Sequence, residues 1–201
     1  MEKINLNTFI QNIHFFINEA KQNKLFLYPT DTIYWLGWIW PNNIEKIYKI
    51  KLRPTNKKVS IILPAKNLSD FLNKISQISQ ENLDIARLNN LITDLRKQKK
   101  WFTLIIKAKK DFFQNLNNFS KKIYEDQTIG VRFLNHPFQK FVNKLNLPFI
   151  TTSANISWEP PITHPKQLNQ KIKKEIDYII DDGDLINQPS VLIKNNQIIE
   201  R

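Results

Sequence analysis

The chain contains no cysteine, which excludes disulfide bridges, thiolate metal sites and a cysteine nucleophile. Glycine is nearly as scarce, with 3 in 201 residues, about 1.5 per cent against a usual ~7 per cent. No glycine-rich phosphate loop is present, so any polyphosphate site has to be built from side-chain cations and hydroxyls. Acidic residues are also short: 18 Asp+Glu face 30 Lys+Arg, leaving a net charge of +12. A surface that basic favours polyanions such as ATP, RNA or acidic lipid. A genome-driven excess of Lys, Asn and Ile explains the same figure, so charge alone does not establish RNA binding. The three histidines, His14, His136 and His164, lie too far apart for a zinc motif, and no metal-ligand set is expected. No apolar run approaches the ~18 residues of a spanning helix. Met1-Glu-Lys-Ile-Asn5 leads into an amphipathic pattern rather than a signal peptide. The expectation is a cytoplasmic protein without a membrane partner.

What is present suits one globular domain over residues 1–201, with 41% apolar and 24% charged residues. Leu6, Phe9, Ile10, Ile13, Phe16 and Ile17 recur at helical spacing and predict one helix ending near Lys24. Leu25–Tyr28 reads as a short buried strand stopped by Pro29. Asn42 or Asn43 is placed to cap a helix carrying Ile44, Ile47, Tyr48 and Ile50. Further strands are expected at Val59–Leu63, Phe102–Ala108, Thr128–Phe133, Pro148–Thr151 and Tyr178–Ile180. Two helices are expected within 67–98 and one from Pro137 to Leu145. Asn195-Asn196 predicts a hairpin between Ser190–Lys194 and Gln197–Ile199. Interleaved helices and strands give an α/β or α+β class, a twisted mixed sheet with flanking helices.

Four segments carry candidate chemistry. Thr30-Asp31-Thr32 ends a strand and offers two hydroxyls and a carboxylate to a zwitterion, although alone it also reads as an Asp/Thr-capped turn. Lys51 and Arg53 follow a helix. At a helix end they can converge on one phosphate chain, the Arg as a bidentate fork and the Lys as a point charge, with Lys57 as a third cation. Arg132, in Asp126-Gln-Thr-Ile-Gly-Val-Arg132, stands at a strand end where it can grip a carboxylate. Thr151-Thr-Ser153-Ala-Asn155 supplies further hydroxyl and amide donors at a strand-to-turn junction.

Together, Tyr28-Pro-Thr-Asp-Thr-Ile-Tyr34, Lys51-Leu-Arg53-Pro54 and Thr151-Thr-Ser153-Ala-Asn155 resemble the YrdC/Sua5 family of threonylcarbamoyl-AMP synthases, whose signature is Lys-x-Arg followed much later by Ser-x-Asn. The resemblance runs from Leu25 to Leu192. It implies an open, curved sheet with a basic concave cleft, and synthesis of L-threonylcarbamoyl-AMP and pyrophosphate from L-threonine, bicarbonate and ATP. By resemblance Thr32, Arg132, Ser153 and Ser190 hold threonine. Lys51, Arg53, Lys57, Thr128, Asn155 and Thr163 serve ATP, Lys51 and Arg53 as the catalytic pair, with Mg²⁺ accompanying ATP. The product would pass to a tRNA-modifying transferase complex acting at adenosine 37, and at 201 residues no room is expected for the extra carboxyl-terminal domain of longer relatives. The competing class is a non-catalytic module of the same fold that binds tRNA or other double-stranded RNA.

The chain departs from the family pattern at its tryptophans. Tyr34-Trp35-Leu36-Gly37 stands where the family reads Tyr-Gly-Leu-Gly, and Ser153-Ala-Asn-Ile-Ser-Trp158 where it reads Ser-Ala-Asn-x-Ser-Gly. Trp38, Trp40 and Trp101 occupy loop positions that would suit glycine. Two explanations stand. Either all five are UGA codons that the source reads as glycine, which UGG at positions 35 and 158 would refute, or the pocket has drifted. A tryptophan where backbone must approach a ligand fills the pocket.

Overall fold

A computed structural model describes residues 1–185 and 190–199. Gln188 and Pro189, which precede Ser190 in the resemblance, lie outside the described residues. Among the described residues, ten strands form one sheet. In chain order they are β1 (Glu2–Asn5), β2 (Phe26–Pro29), β3 (Tyr34–Gly37), β4 (Ser60–Ile62) and β5 (Phe102–Lys107). They continue as β6 (Thr128–Arg132), β7 (Phe149–Ser153), β8 (Tyr178–Asp181), β9 (Val191–Lys194) and β10 (Gln197–Ile199). Across the sheet the order is β1-β8-β2-β3-β7-β4-β6-β5-β9-β10. Four pairs run parallel (β1 with β8, β2 with β8, β4 with β6, β5 with β9) and the others antiparallel. The sheet is therefore mixed, as expected.

Eight α-helices accompany it among the described residues: α1 (Leu6–Gln11), α2 (Ile13–Lys21), α3 (Ile44–Lys51), α4 (Leu68–Ile78), α5 (Ile85–Lys97), α6 (Asn118–Ile123), α7 (Phe138–Leu145) and α8 (Gln170–Lys173). Because side chains alternate along a strand, β2 feeds two cores. Leu27, with Leu25 just before the strand, joins the layer under α3, α4, α5, α6 and α8. Phe26 and Tyr28 join an aromatic layer with α1, α2 and α7. There Phe9, Phe138, Phe141 and Phe149 pack ring against ring, in the edge and offset contacts that aromatic quadrupoles favour. This second layer covers only part of its sheet face. The remainder of that face is a cleft.

Several local outcomes differ from the sequence reading, which expected neither α6 nor α8. The first helix is two, because Asn12 leaves helical geometry and its side-chain Nδ2 donates to the Thr8 carbonyl at 2.9 Å, a local bond that competes with helix continuation. Strands β1 and β3 are additions. β1 buries only Ile4, and all four residues of β3 are buried, so neither shows the half-buried alternation that marks a strand in sequence. Asn43 does stand before α3, but at φ 56° with no side-chain cap bond. The carboxyl-terminal hairpin forms as expected. Asn195 and Asn196 have φ 50° and 57°, the positive pair that a type I′ turn requires.

Candidate active site

The cleft has a volume of about 750 Å³ and is floored by five adjacent strands, β3, β7, β4, β6 and β5. On each, every second residue looks into it: Trp35, Thr151 and Ser153, Ser60, Thr128 and Gly130, Thr103 and Ile105. The intervening Ile61, Val131, Leu104 and Ile150 are buried in the opposite core. Period-two alternation thus writes small polar residues on one side of an apolar sheet. At Gly130 a Cβ would lie 2.3 Å from the Ser60 Oγ, so the floor there is glycine for want of space.

One end of the cleft is cationic. Arg53, Asn56, Lys57 and Lys58 line it opposite Asp126 and Thr128. The Arg53 Nε and Nη2 donate to the carbonyls of Lys57 and Lys58 at 2.6 and 2.5 Å, which closes the 53–58 loop on itself and leaves the guanidinium along the cleft wall. Lys58 Nζ donates to the Thr128 Oγ1 at 2.6 Å and also bonds Asp126. Desolvation works to raise the Asp126 carboxyl, but hydrogen bonds from Lys58 and Thr128 prevail and hold it below the usual carboxylate range.

The other end is buried. Arg132, 1% exposed, donates from Nη2 to the Asp31 Oδ1 at 2.8 Å, and the backbone N–H of Asn135 donates to the other Asp31 oxygen at 2.9 Å. Arg132 also reaches the Thr32 Oγ1 and the Ser190 Oγ at 3.5 Å, while Ser190 and Thr103 share a hydroxyl hydrogen bond of 2.9 Å. Its Nε has no hydrogen-bond partner among the described residues. Burial pulls the guanidinium below its ordinary range and the Asp31 charge works against that. Over this group lies the indole of Trp35. The ring centroid is 4.5 Å from the Arg132 Cζ, and Nε1 donates to the Thr32 Oγ1 at 3.3 Å.

The residues singled out in sequence therefore fall in three places. Arg53, Lys57, Thr128 and Ser153 line the cleft. Thr32, Arg132 and Ser190 are clustered, all 2% exposed or less, beneath Trp35. Lys51, Asn155 and Thr163 are outside its lining. Lys51 and Arg53 do not converge, because Leu52 between them takes the left-handed conformation that ends α3 (φ 49°). The Lys51 ammonium points inward and bonds the carbonyls of Ser153 and Asn155, tying α3 to the Ser-Ala-Asn turn. Burial, then the nearby Arg53 charge, pushes its pKa down to about 7. Asn155 is bonded to that same lysine and donates from Nδ2 to the Glu159 carbonyl. The Thr163 N–H donates to the Gln167 side chain at 2.8 Å. Sequence reasoning missed Lys58, Asp126, Ser60 and Thr103. Lys58 is one among many lysines, whereas Ser60 and Thr103 could have been found as lone polar residues in otherwise apolar strands.

The tryptophans also divide. Trp38 is buried with its Nε1 donating to the Asn23 carbonyl at 2.9 Å, and Trp40 packs edge-on against Tyr124. Trp101 buries an Nε1 that has no partner among the described residues. Trp158 is 76% exposed at φ 77°, the largest positive φ among the described non-glycine residues and close to the 73° of Gly183. A large L-residue there is strained.

Fold and cleft define a mixed α/β protein with one sheet face lined by side-chain cations and hydroxyls rather than by a glycine loop. The chain belongs to the Sua5/YciO/YrdC family: the family model, described as "Telomere recombination", matches residues 18–200. Similar proteins include the threonylcarbamoyl-AMP synthase of Histophilus somni, 30% identical over 154 residues, with 75% of this chain and 76% of that protein covered. That of Wigglesworthia glossinidia brevipalpis is 29% identical over 174 residues, covering 85% and 82%. Among solved structures, P. abyssi Sua5 complexed with L-threonine superposes with a TM-score of 0.71 at 21% identity over 96% of this chain. The chain spans only 54% of that protein's length. E. coli YciO superposes at 0.66 with 24% identity, covering 92% of this chain and 84% of its own. These two likenesses establish the fold.

Proposed function

We propose that this chain is a nucleotidyltransferase that makes L-threonylcarbamoyl-AMP and pyrophosphate from L-threonine, bicarbonate and ATP. The observation that carries the reading is one sheet face with a cationic end at Arg53, Lys57 and Lys58 and a hydroxyl-guanidinium end at Thr32, Arg132 and Ser190. Relatives named threonylcarbamoyl-AMP synthase support it, as does the threonine complex of a protein of the same fold.

In this reading the threonine amine takes up CO₂ or bicarbonate as a carbamate. A carbamate oxygen then attacks the α-phosphorus of ATP, and the bond to the β,γ-diphosphate breaks with pyrophosphate leaving. Arg53, Lys57 and Lys58 bear on the triphosphate, where fixed cations stabilise charge that grows in the transition state. Thr32, Arg132, Ser153 and Ser190 orient the amino acid, and Thr128 the nucleotide. Lys51 acts as the brace that holds the Ser-Ala-Asn turn, with Asn155 in that turn. Among the described residues no group of three His, Asp or Glu gathers to hold a metal, so magnesium would enter on the ATP phosphates as part of the substrate. The product would go to a tRNA-modifying transferase complex, in the cytoplasm. No helix among the described residues is long and apolar enough to cross a membrane.

The test is L-threonine-dependent pyrophosphate release from ATP and bicarbonate. A pure RNA-binding module would release none, and its RNA affinity would fall steeply with salt.

A further inference from the structure

The Trp35 indole rests on the groups that, under the synthase reading above, receive the amino acid. It stacks 4.5 Å from the Arg132 Cζ and donates 3.3 Å to the Thr32 Oγ1. The cleft wall records the consequence. Trp35 lines the open space, while Thr32, Arg132 and Ser190 do not. A ligand entering from the cationic end meets the indole before it meets the guanidinium. Register leaves the indole little choice: Trp35 pairs with Ser153 across β3 and β7, which puts both side chains on the cleft face.

We propose that Trp35 is the residue that occludes this cleft, occupying the amino-acid subsite on Arg132 and Thr32 while leaving the ATP end open. The inference rests on the synthase reading. An indole over a desolvated guanidinium, with a hydrogen bond to the neighbouring hydroxyl, has to be displaced before a carboxylate reaches Arg132. The buried Arg132 Nε, without a partner among the described residues, is the donor that a carboxylate would then satisfy. ATP meets none of this obstruction, because Arg53, Lys57 and Thr128 already line the open cleft. Trp35 therefore acts on affinity for the amino acid, not for the nucleotide.

The experiment compares the full chain with Trp35→Gly by equilibrium binding of L-threonine and of ATP, and by threonine-dependent pyrophosphate release. The expected result is threonine affinity at least ~10-fold tighter in Trp35→Gly, a matching fall in KM for threonine, and an ATP KM within about twofold of the parent. Equal threonine affinity in two proteins that both release pyrophosphate overturns the inference and spares the synthase reading. Absence of both threonine binding and pyrophosphate release in both proteins overturns the reading and the inference together. Since glycine weakens a strand interior, Trp35→Phe serves as the second variant. It keeps a ring on Arg132 and loses only the Nε1 bond, so threonine should bind about threefold more tightly, and an unchanged affinity counts against the proposal.

Discussion

The two ends of the cleft hold their arginines in opposite ways. Arg53 sits in a loop, bonded to its own neighbours' carbonyls, and borders open space. Arg132 sits at the end of an interior strand, paired to a buried Asp31 and roofed by Trp35. The first arrangement leaves a half-buried charge on the cleft wall, ready for a mobile polyanion. The second spends desolvation energy on a fixed geometry, and it is stable only while the carboxylate partner remains. A charge bordering open space can recruit, whereas a buried, paired one can discriminate.

That contrast breaks most visibly at the buried pair. Arg132→Met strands the Asp31 carboxylate in the core and should cost about 3–5 kcal/mol, read as a fall in ΔG of urea unfolding. Adding Asp31→Asn should recover most of the loss, and no recovery would mean that Asp31 is satisfied by other groups. Arg53→Ala should do the reverse. Stability changes little, while threonine-dependent pyrophosphate release drops about 10²–10³-fold in steady-state assays. A similar fall with Arg53→Lys would sharpen the case for a planar fork rather than mere charge.

Lys51 supplies a pH test of the brace between the two ends. Burial lowers its pKa from 10.5 to about 7 in the folded chain. Between those values the unfolded chain binds more protons, so this group makes stability rise with pH across that window, while below it the penalty is fully present. Urea midpoints should therefore rise from pH 7 towards about pH 9.5, and Lys51→Met should flatten that rise. A parallel rise in the variant would locate the effect elsewhere.

The smallest effect concerns Trp158. Replacing it by glycine removes the left-handed strain and should stabilise the fold by about 1 kcal/mol, visible as a higher thermal midpoint. The coding sequence then checks the recoding explanation directly. UGA codons at positions 35 and 158, with glycine in the corresponding peptides of the native protein, would make the open form of the cleft the natural one. UGG at both would leave the indole as part of the working site.

Much of this was legible in the residues themselves. Short apolar, β-branched runs marked β4 to β9, and paired asparagines marked the final hairpin. The Thr-Asp-Thr, Lys-x-Arg and Ser-Ala-Asn segments marked the site because their side chains are chemically distinctive. Strand β1 escaped because only Ile4 of its four residues is buried, and β3 because it follows closely on the Thr30-Asp31-Thr32 turn and carries no turn residue of its own to mark its start. Lys51 and Arg53 looked like partners because they are two residues apart. The left-handed Leu52 separates them, and that backbone state has no reliable sequence signal outside glycine and asparagine.

The sequence by itself determined the chemistry available to this protein: side-chain cations and hydroxyls, no thiol, no glycine loop, and polar residues set into apolar strands. Local pattern suffices for that, since composition and period-two alternation are properties of neighbouring residues. Only the tertiary structure decided which groups are spent and which are free. It joined Asp31 to Arg132 across 101 residues, turned Lys51 onto the Ser153 and Asn155 carbonyls, and laid Trp35 over the buried guanidinium. Those outcomes depend on strand order and burial, which bring distant residues into a low-dielectric space where a charge must find a partner.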